Sequence, residues 1–90
     1  LIVNNTASNP SLDLTQLNVY PNPTTDMLNV SYNDIISEVS IFDLSGRQIL
    51  EKEVNQLSTV LETVRLSSGT YLLKVQTQNG ESSTVKFIKK

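Results

Sequence analysis

Two alternating runs, Tyr71-Leu72-Leu73-Lys74-Val75-Gln76 and Thr84-Val85-Lys86-Phe87-Ile88, flank the dipeptide Asn79-Gly80. No other stretch restricts the fold so tightly. Both turn residues accept a positive φ, so the dipeptide predicts a type I′ turn joining antiparallel strands. Successive strand side chains point to opposite faces, which puts Tyr71, Leu73, Val75, Val85 and Phe87 on a core face. The second strand runs on through Lys86-Phe87-Ile88-Lys89-Lys90, three lysines with no polar tail behind them. A structured strand ending of this kind is available to be read by a partner.

The composition agrees with a sheet. Ninety residues make one domain with one modest core. Alanine occurs once, as Ala7, while valine, isoleucine and nine threonines dominate, and β-branched residues favour a pleated surface over a helix. A net charge of -2 gives no field that would draw nucleic acid or an anionic membrane surface. The longest apolar runs are only a few residues, too short for direct membrane insertion as a helix. The opening Leu1-Ile2-Val3 is followed at once by Asn4-Asn5-Thr6, with no initiating methionine or signal pattern, as expected of a module cut from a longer protein.

Residues 1–16 are rich in Asn, Ser and Thr, contain Pro10 and show no sustained period, so they read as a linker from a preceding domain. The structured domain is expected over residues 17–90. Leu17-Asn18-Val19-Tyr20 alternates as a short strand and stops at Pro21-Asn22-Pro23, where two prolines make a stiff extended corner. Met27-Leu28-Asn29-Val30-Ser31-Tyr32 resumes as a strand, Asn33-Asp34 marks a turn, and Ile36 to Phe42 gives another strand with Val39 and Ile41 inward. Asp43-Leu44-Ser45-Gly46 suits a type I turn closed by a left-handed glycine, leading into the strand from Arg47 to Val54. Residues 55–58 turn again. Residues 59–64 read as strand, although Leu57, Val60, Leu61 and Val64 also fit helical spacing. Ser67-Ser68-Gly69-Thr70 then turns into Tyr71. About seven short strands with a turn signal between each pair predict an all-β, antiparallel, immunoglobulin-like β-sandwich.

Few arrangements in this chain suit catalysis. With neither cysteine nor histidine there is no disulfide, no thiolate or imidazole metal ligand and no Cys/His or Ser/His pair. The carboxylates are scattered over turns and outer faces, and Gly46, Gly69 and Gly80 each fall in a separate turn rather than in a phosphate loop. Neither a cofactor nor a metal is expected, and the chain does not read as an enzyme. Tyr20, Tyr32 and Tyr71 would make a sugar-stacking platform only on an exposed face, whereas their register predicts core packing.

Four short motifs remain: Tyr20-Pro21-Asn22-Pro23, Asp43-Leu44-Ser45-Gly46-Arg47, Leu66-Ser67-Ser68-Gly69-Thr70-Tyr71 and Lys86-Phe87-Ile88-Lys89-Lys90. In this order and spacing they resemble the type A C-terminal sorting domain of the type IX secretion system of Bacteroidetes-type bacteria, over about residues 17–90. The resemblance implies a secretion address on a larger cargo protein. It implies transit through the periplasm, recognition by the outer-membrane translocon, removal by a sortase-like peptidase, and an end at the cell surface or in the medium. The family's shared positions fall on Pro21, Pro23, Gly46, Gly69, Tyr71, Lys86, Lys89 and Lys90, which are therefore the expected recognition residues. Ser67 stands where many relatives have proline.

Two other readings suit the same fold, because fold does not fix function. An immunoglobulin-like carbohydrate-binding or adhesion module would need an exposed aromatic patch or a loop cluster. A plain spacer would tolerate being moved to the interior of a protein.

Overall fold

The computed structural model describes residues 13–90, so the expected linker lies outside the described residues apart from 13–16. Five strands follow in order: β1 Asn18–Tyr20, β2 Met27–Phe42, β3 Gln48–Glu62, β4 Gly69–Thr77 and β5 Ser82–Lys89. All named pairings are antiparallel. The all-β expectation holds, but the count is five rather than seven, because two expected turns are bends inside long strands.

β2 and β3 pair along their whole length, and the register slips between Ser31 and Ile36 and again between Ile36 and Glu38. At the second slip β3 carries one extra residue, and Asn55 there adopts φ 54°. Bulges of this kind bend a strand without reversing it, and asparagine tolerates the left-handed region. Asn33-Asp34 and residues 55–58 thus carry the hairpin from one layer of the sandwich into the other. One layer comprises β1, the start of β2 and the end of β3. The second comprises the remaining halves of β2 and β3 with β4 and β5.

Both layers contribute to one core. Leu28, Val30 and Leu61 enter it from the first layer; Ile36, Val39, Ile41, Leu73, Val75 and Phe87 enter from the second. The stretch from residue 59 is strand as far as Glu62, as its β-branched content indicates. Tyr32 and Tyr71 are buried as their register requires, whereas Tyr20 is 55% exposed, contrary to the expected inward register. Val19 takes the inward position on β1 and packs on the core, so alternation turns its neighbour Tyr20 outward.

The hairpin turn also differs from expectation. Gly80 has φ 87° while Asn79 stays out of the left-handed region. Gly80 N donates to Thr77 O at 3.1 Å and Thr77 N to Glu81 O at 2.9 Å, the pattern of a type I turn closed by a left-handed glycine bulge. Asn79 donates its side-chain amide to Asp34, and Gln78 N donates to Ile35 O, so the loop is drawn onto the bend of β2. The turn at Asp43 has the expected form and the same pattern, with Gly46 N donating to Asp43 O and Asp43 N to Arg47 O, both at 3.0 Å.

Candidate functional site

All four motifs lie at one end of the second layer, opposite the Asn79-Gly80 turn. β4 begins there and β5 ends there, with Gly69 opposite Lys89, Thr70 opposite Ile88 and Tyr71 opposite Phe87. Phe42 pairs with Leu72, so β2 leaves the sheet beside them and the Asp43 turn follows at the same end.

Residues 21–24 form a strap over the outer edge of β5. Thr24 N donates to Ile88 O at 2.8 Å, and Lys90 N donates to Thr24 O at 2.9 Å, forming a parallel bridge between Thr24 and Lys89. Ile88 N donates to the Asn22 side-chain oxygen at 3.0 Å. Pro21 and Pro23 are exposed on either side of Asn22, in a run of bends in which both X-Pro peptide bonds are cis. Beneath the strap, the fully buried Thr24 and Thr63 hydroxyls lie 3.2 Å apart, and Thr24 Oγ1 donates to Met27 O at 2.6 Å. The strap is thus anchored both to the strand edge and to the core.

The strap also decides how far β5 can pair with another chain. Ile88 turns its backbone groups outward, but the strap already occupies them. Further back along β5, alternation turns the backbone groups of Thr84 and Lys86 outward in the same way.

Lys89 overturns an expectation. Its register follows Val85 and Phe87 inward, only 9% of it is exposed, and its Nζ donates to Leu66 O at 3.1 Å. A long apolar stem allows an ammonium to lie inward while its head finds a carbonyl. Lys89 is therefore a fastener of the loop before β4 and not part of the presented surface. Tyr71 acts on the same loop, its hydroxyl donating to Ser67 O at 2.7 Å. Lys86 and Lys90 are exposed, Gly46 holds a positive φ of 93° in its turn, and Gly69, at the start of β4, holds one of 152°. The expected residues thus divide into exposed side chains, those of Pro21, Pro23, Lys86 and Lys90, two exposed glycines, Gly46 and Gly69, and the buried Tyr71 and Lys89.

Asn22, Thr24 and Thr63 were not singled out in the sequence. An asparagine between two prolines and a threonine in a turn look like ordinary loop residues, and the partners that give them a role lie across the fold.

Two carboxyl groups depart from their usual behaviour. Hydrogen bonds from the Ser45 hydroxyl, then from the Arg47 amide, hold the Asp43 carboxyl below its ordinary range. Its contribution to stability is present above the usual aspartate value and is lost as pH falls through the lowered one. Glu38 behaves oppositely. A hydrogen bond shared with Glu51, then burial and the negative charges of Glu51 and Glu53, raise its carboxyl above the usual glutamate range. Folding then favours the protonated form, so acidification through the raised value relieves the repulsion. Glu38→Gln is expected to raise the thermal midpoint at pH 7 and to add little at a pH where Glu38 is already protonated. Melting curves at the two pH values check this; an unchanged midpoint at pH 7 would refute it.

No group of three or more metal-ligating side chains occurs among the described residues. A cleft of about 410 Å³ between Met27, Leu50 and Val60 is spanned by Lys52, whose Nζ donates to Val60 O at 3.0 Å. It lies inside the bend of β3.

Fold and site together define a β-sandwich module built to hold and present a fastened strand end. The family model for the secretion system C-terminal sorting domain matches residues 18–90, and the chain belongs to that family. Among curated proteins it is 33% identical over 73 residues to beta-agarase D of Zobellia galactanivorans and 32% identical over 85 residues to an ulvan lyase of Nonlabens ulvanivorans. These matches take in 81% and 92% of this chain but span only 15% and 16% of those proteins. In solved structures the fold is shared with PorZ, a surface component of the type IX secretion system of Porphyromonas gingivalis. There the TM-score is 0.71 at 22% identity, over 87% of this chain and 12% of PorZ. A DUF3244 protein of Bacteroides vulgatus, described as an immunoglobulin-like β-sandwich, superposes with TM-score 0.72 at 15% identity, over 91% of this chain and 93% of its own.

Proposed function

We propose that residues 17–90 are a folded address for the type IX outer-membrane translocon, joined through residues 1–16 to a larger cargo. The observation that carries the reading is the convergence of the sorting motifs. Segments far apart in sequence, 20–24, 66–71 and 86–90, are fastened into one end by the strap and by the Lys89 and Tyr71 side chains. A rigid surface of this kind loses less entropy on binding than a floppy peptide.

On this reading the cargo crosses the periplasm with the domain folded. The translocon reads Pro21, Pro23, Lys86 and Lys90, while Gly46, Gly69, Tyr71 and Lys89 keep that surface in shape. A sortase-like peptidase then removes the domain upstream of residue 17, leaving cargo at the surface or in the medium. The cargo proposed is a polysaccharide-degrading enzyme, the kind of protein that the two curated relatives are named as.

The test is a fusion of the full chain to a fluorescent reporter that reaches the periplasm of a host with type IX machinery. Fluorescence is expected at the cell surface or in the medium, and it should vanish in a translocon mutant. Retention in the periplasm of both hosts would overturn the assignment.

A further inference from the structure

We propose that the sorting domain meets its receptor through the outer face of the second layer, and that the receptor offers an apolar centre with carboxylates on its rim. This rests on the sorting reading and specifies where the address is read and by what chemistry.

The register defines the face. Residues directly opposite each other in a sheet point the same way. Gln48 pairs with Phe42, Phe42 with Leu72 and Leu72 with Lys86, while Thr70 pairs with Ile88. Their immediate neighbours Ile41, Tyr71, Leu73 and Phe87 are buried, so this row points outward. Phe42 and Leu72 are half-buried, and Ile88 is 46% exposed diagonally across from Leu72. Outer faces of solvated sheets alternate toward polar residues, and the two rows behind this one do so. They are Glu51, Ser40, Lys74, Thr84 and then Glu53, Glu38, Gln76, Ser82. The apolar strip is therefore confined to the motif end, where the strap borders it.

Charge on this face is as uneven as polarity. Lys86 lies in the apolar row, and Lys90 falls on the same side by alternation. Glu51 and Lys74 share the next row, and Glu38 and Glu53 lie together in the row behind it. A partner with carboxylates beside Lys86 and Lys90 is attracted in one orientation and repelled in the reverse one, which fixes its register. An anionic membrane has no such directionality, and the carboxylate end of the same face repels it. A small apolar cluster inside a polar rim is the usual anatomy of a protein interface.

The test uses the full-chain reporter fusion in the type IX host, with Lys86→Glu, Ile88→Glu and, as a control, Leu57→Glu. Leu57 is similarly exposed at 52% but sits in the bend of β3, away from this face. Delivery is expected to fall by about tenfold or more for the two face variants and to stay near the parent level for the control. Circular dichroism melts of each variant establish folding, and Ile88→Thr replaces Ile88→Glu should the latter unfold. If the parent fusion is retained, the sorting reading itself fails. If parent and face variants are delivered alike, only this surface assignment fails. Sedimentation showing a dimer that Lys86→Glu dissociates would give the face to a second copy and overturn the proposal. Co-sedimentation of the domain with phosphatidylglycerol vesicles would give it to a membrane, with the same result.

Discussion

Phe87→Ala is expected to destabilise the isolated domain by about 3–5 kcal/mol, the usual cost of truncating a large buried aromatic side chain. Phe87 is 0% exposed. Its ring stacks on Tyr71 with centroids 5.7 Å apart and planes 23° from parallel. The pair sits between paired strands whose backbone hydrogen bonds limit any collapse into the vacated space. Domains of this size are stable by about 5–15 kcal/mol, so the loss takes a large share of the total. Urea unfolding measures it directly, and a change below about 1 kcal/mol would contradict the assigned packing. The same reasoning governs any truncation that removes residues 87–90. Such a deletion takes a core side chain together with the partners of the strap, so lost export after it reports unfolding as much as lost recognition. Substitutions at single exposed positions are the cleaner probe.

Lys89→Glu and Lys86→Glu are expected to behave differently although the two lysines are three residues apart on the same strand. Lys86 is exposed, and reversing its charge should leave the melting curve close to the parent. Lys89 is inward, and its Nζ holds Leu66 O. A carboxylate there would face a carbonyl oxygen without a donor, at a cost of about 3 kcal/mol. Lys89→Met, which keeps the stem and loses the charged hydrogen bonds to Leu66 O and Lys90 O, should cost less, about 2 kcal/mol. Denaturant midpoints for the three variants give the order. Equal midpoints for Lys86→Glu and Lys89→Glu would show that Lys89 is not a fastener.

The inward residues of β4 and β5 were legible because alternation is a local property. Tyr71, Leu73, Val75 and Phe87 could be assigned from their own runs. The Asp43 turn was legible for a similar reason, since its closing contacts, from Ser45 and Arg47 to the Asp43 carboxylate, span at most four residues. Asn33-Asp34 and residues 55–58 were not, because the residue types that permit a reversal also permit a bulge. Which one forms depends on whether the partner strand keeps pairing beyond that point, and here β2 and β3 do. Lys89 was misplaced by the habit of putting charge outside, although continuing the alternation past Phe87 would have turned it inward. The motifs themselves could be read, but their meeting place could not. Asn22 finds Ile88 across 66 residues, and nothing in either local stretch points to the other.

That long span between Asn22 and Ile88 gives the strap a meaning in time as well as in space. A polypeptide broken off during synthesis, or clipped before residue 87, lacks the strand that the strap embraces and the ring that completes the core. Its remaining motifs cannot be assembled into the displayed end. The displayed end therefore forms only once β5 is present, so the assembly of the motifs and the completion of the core are a single event.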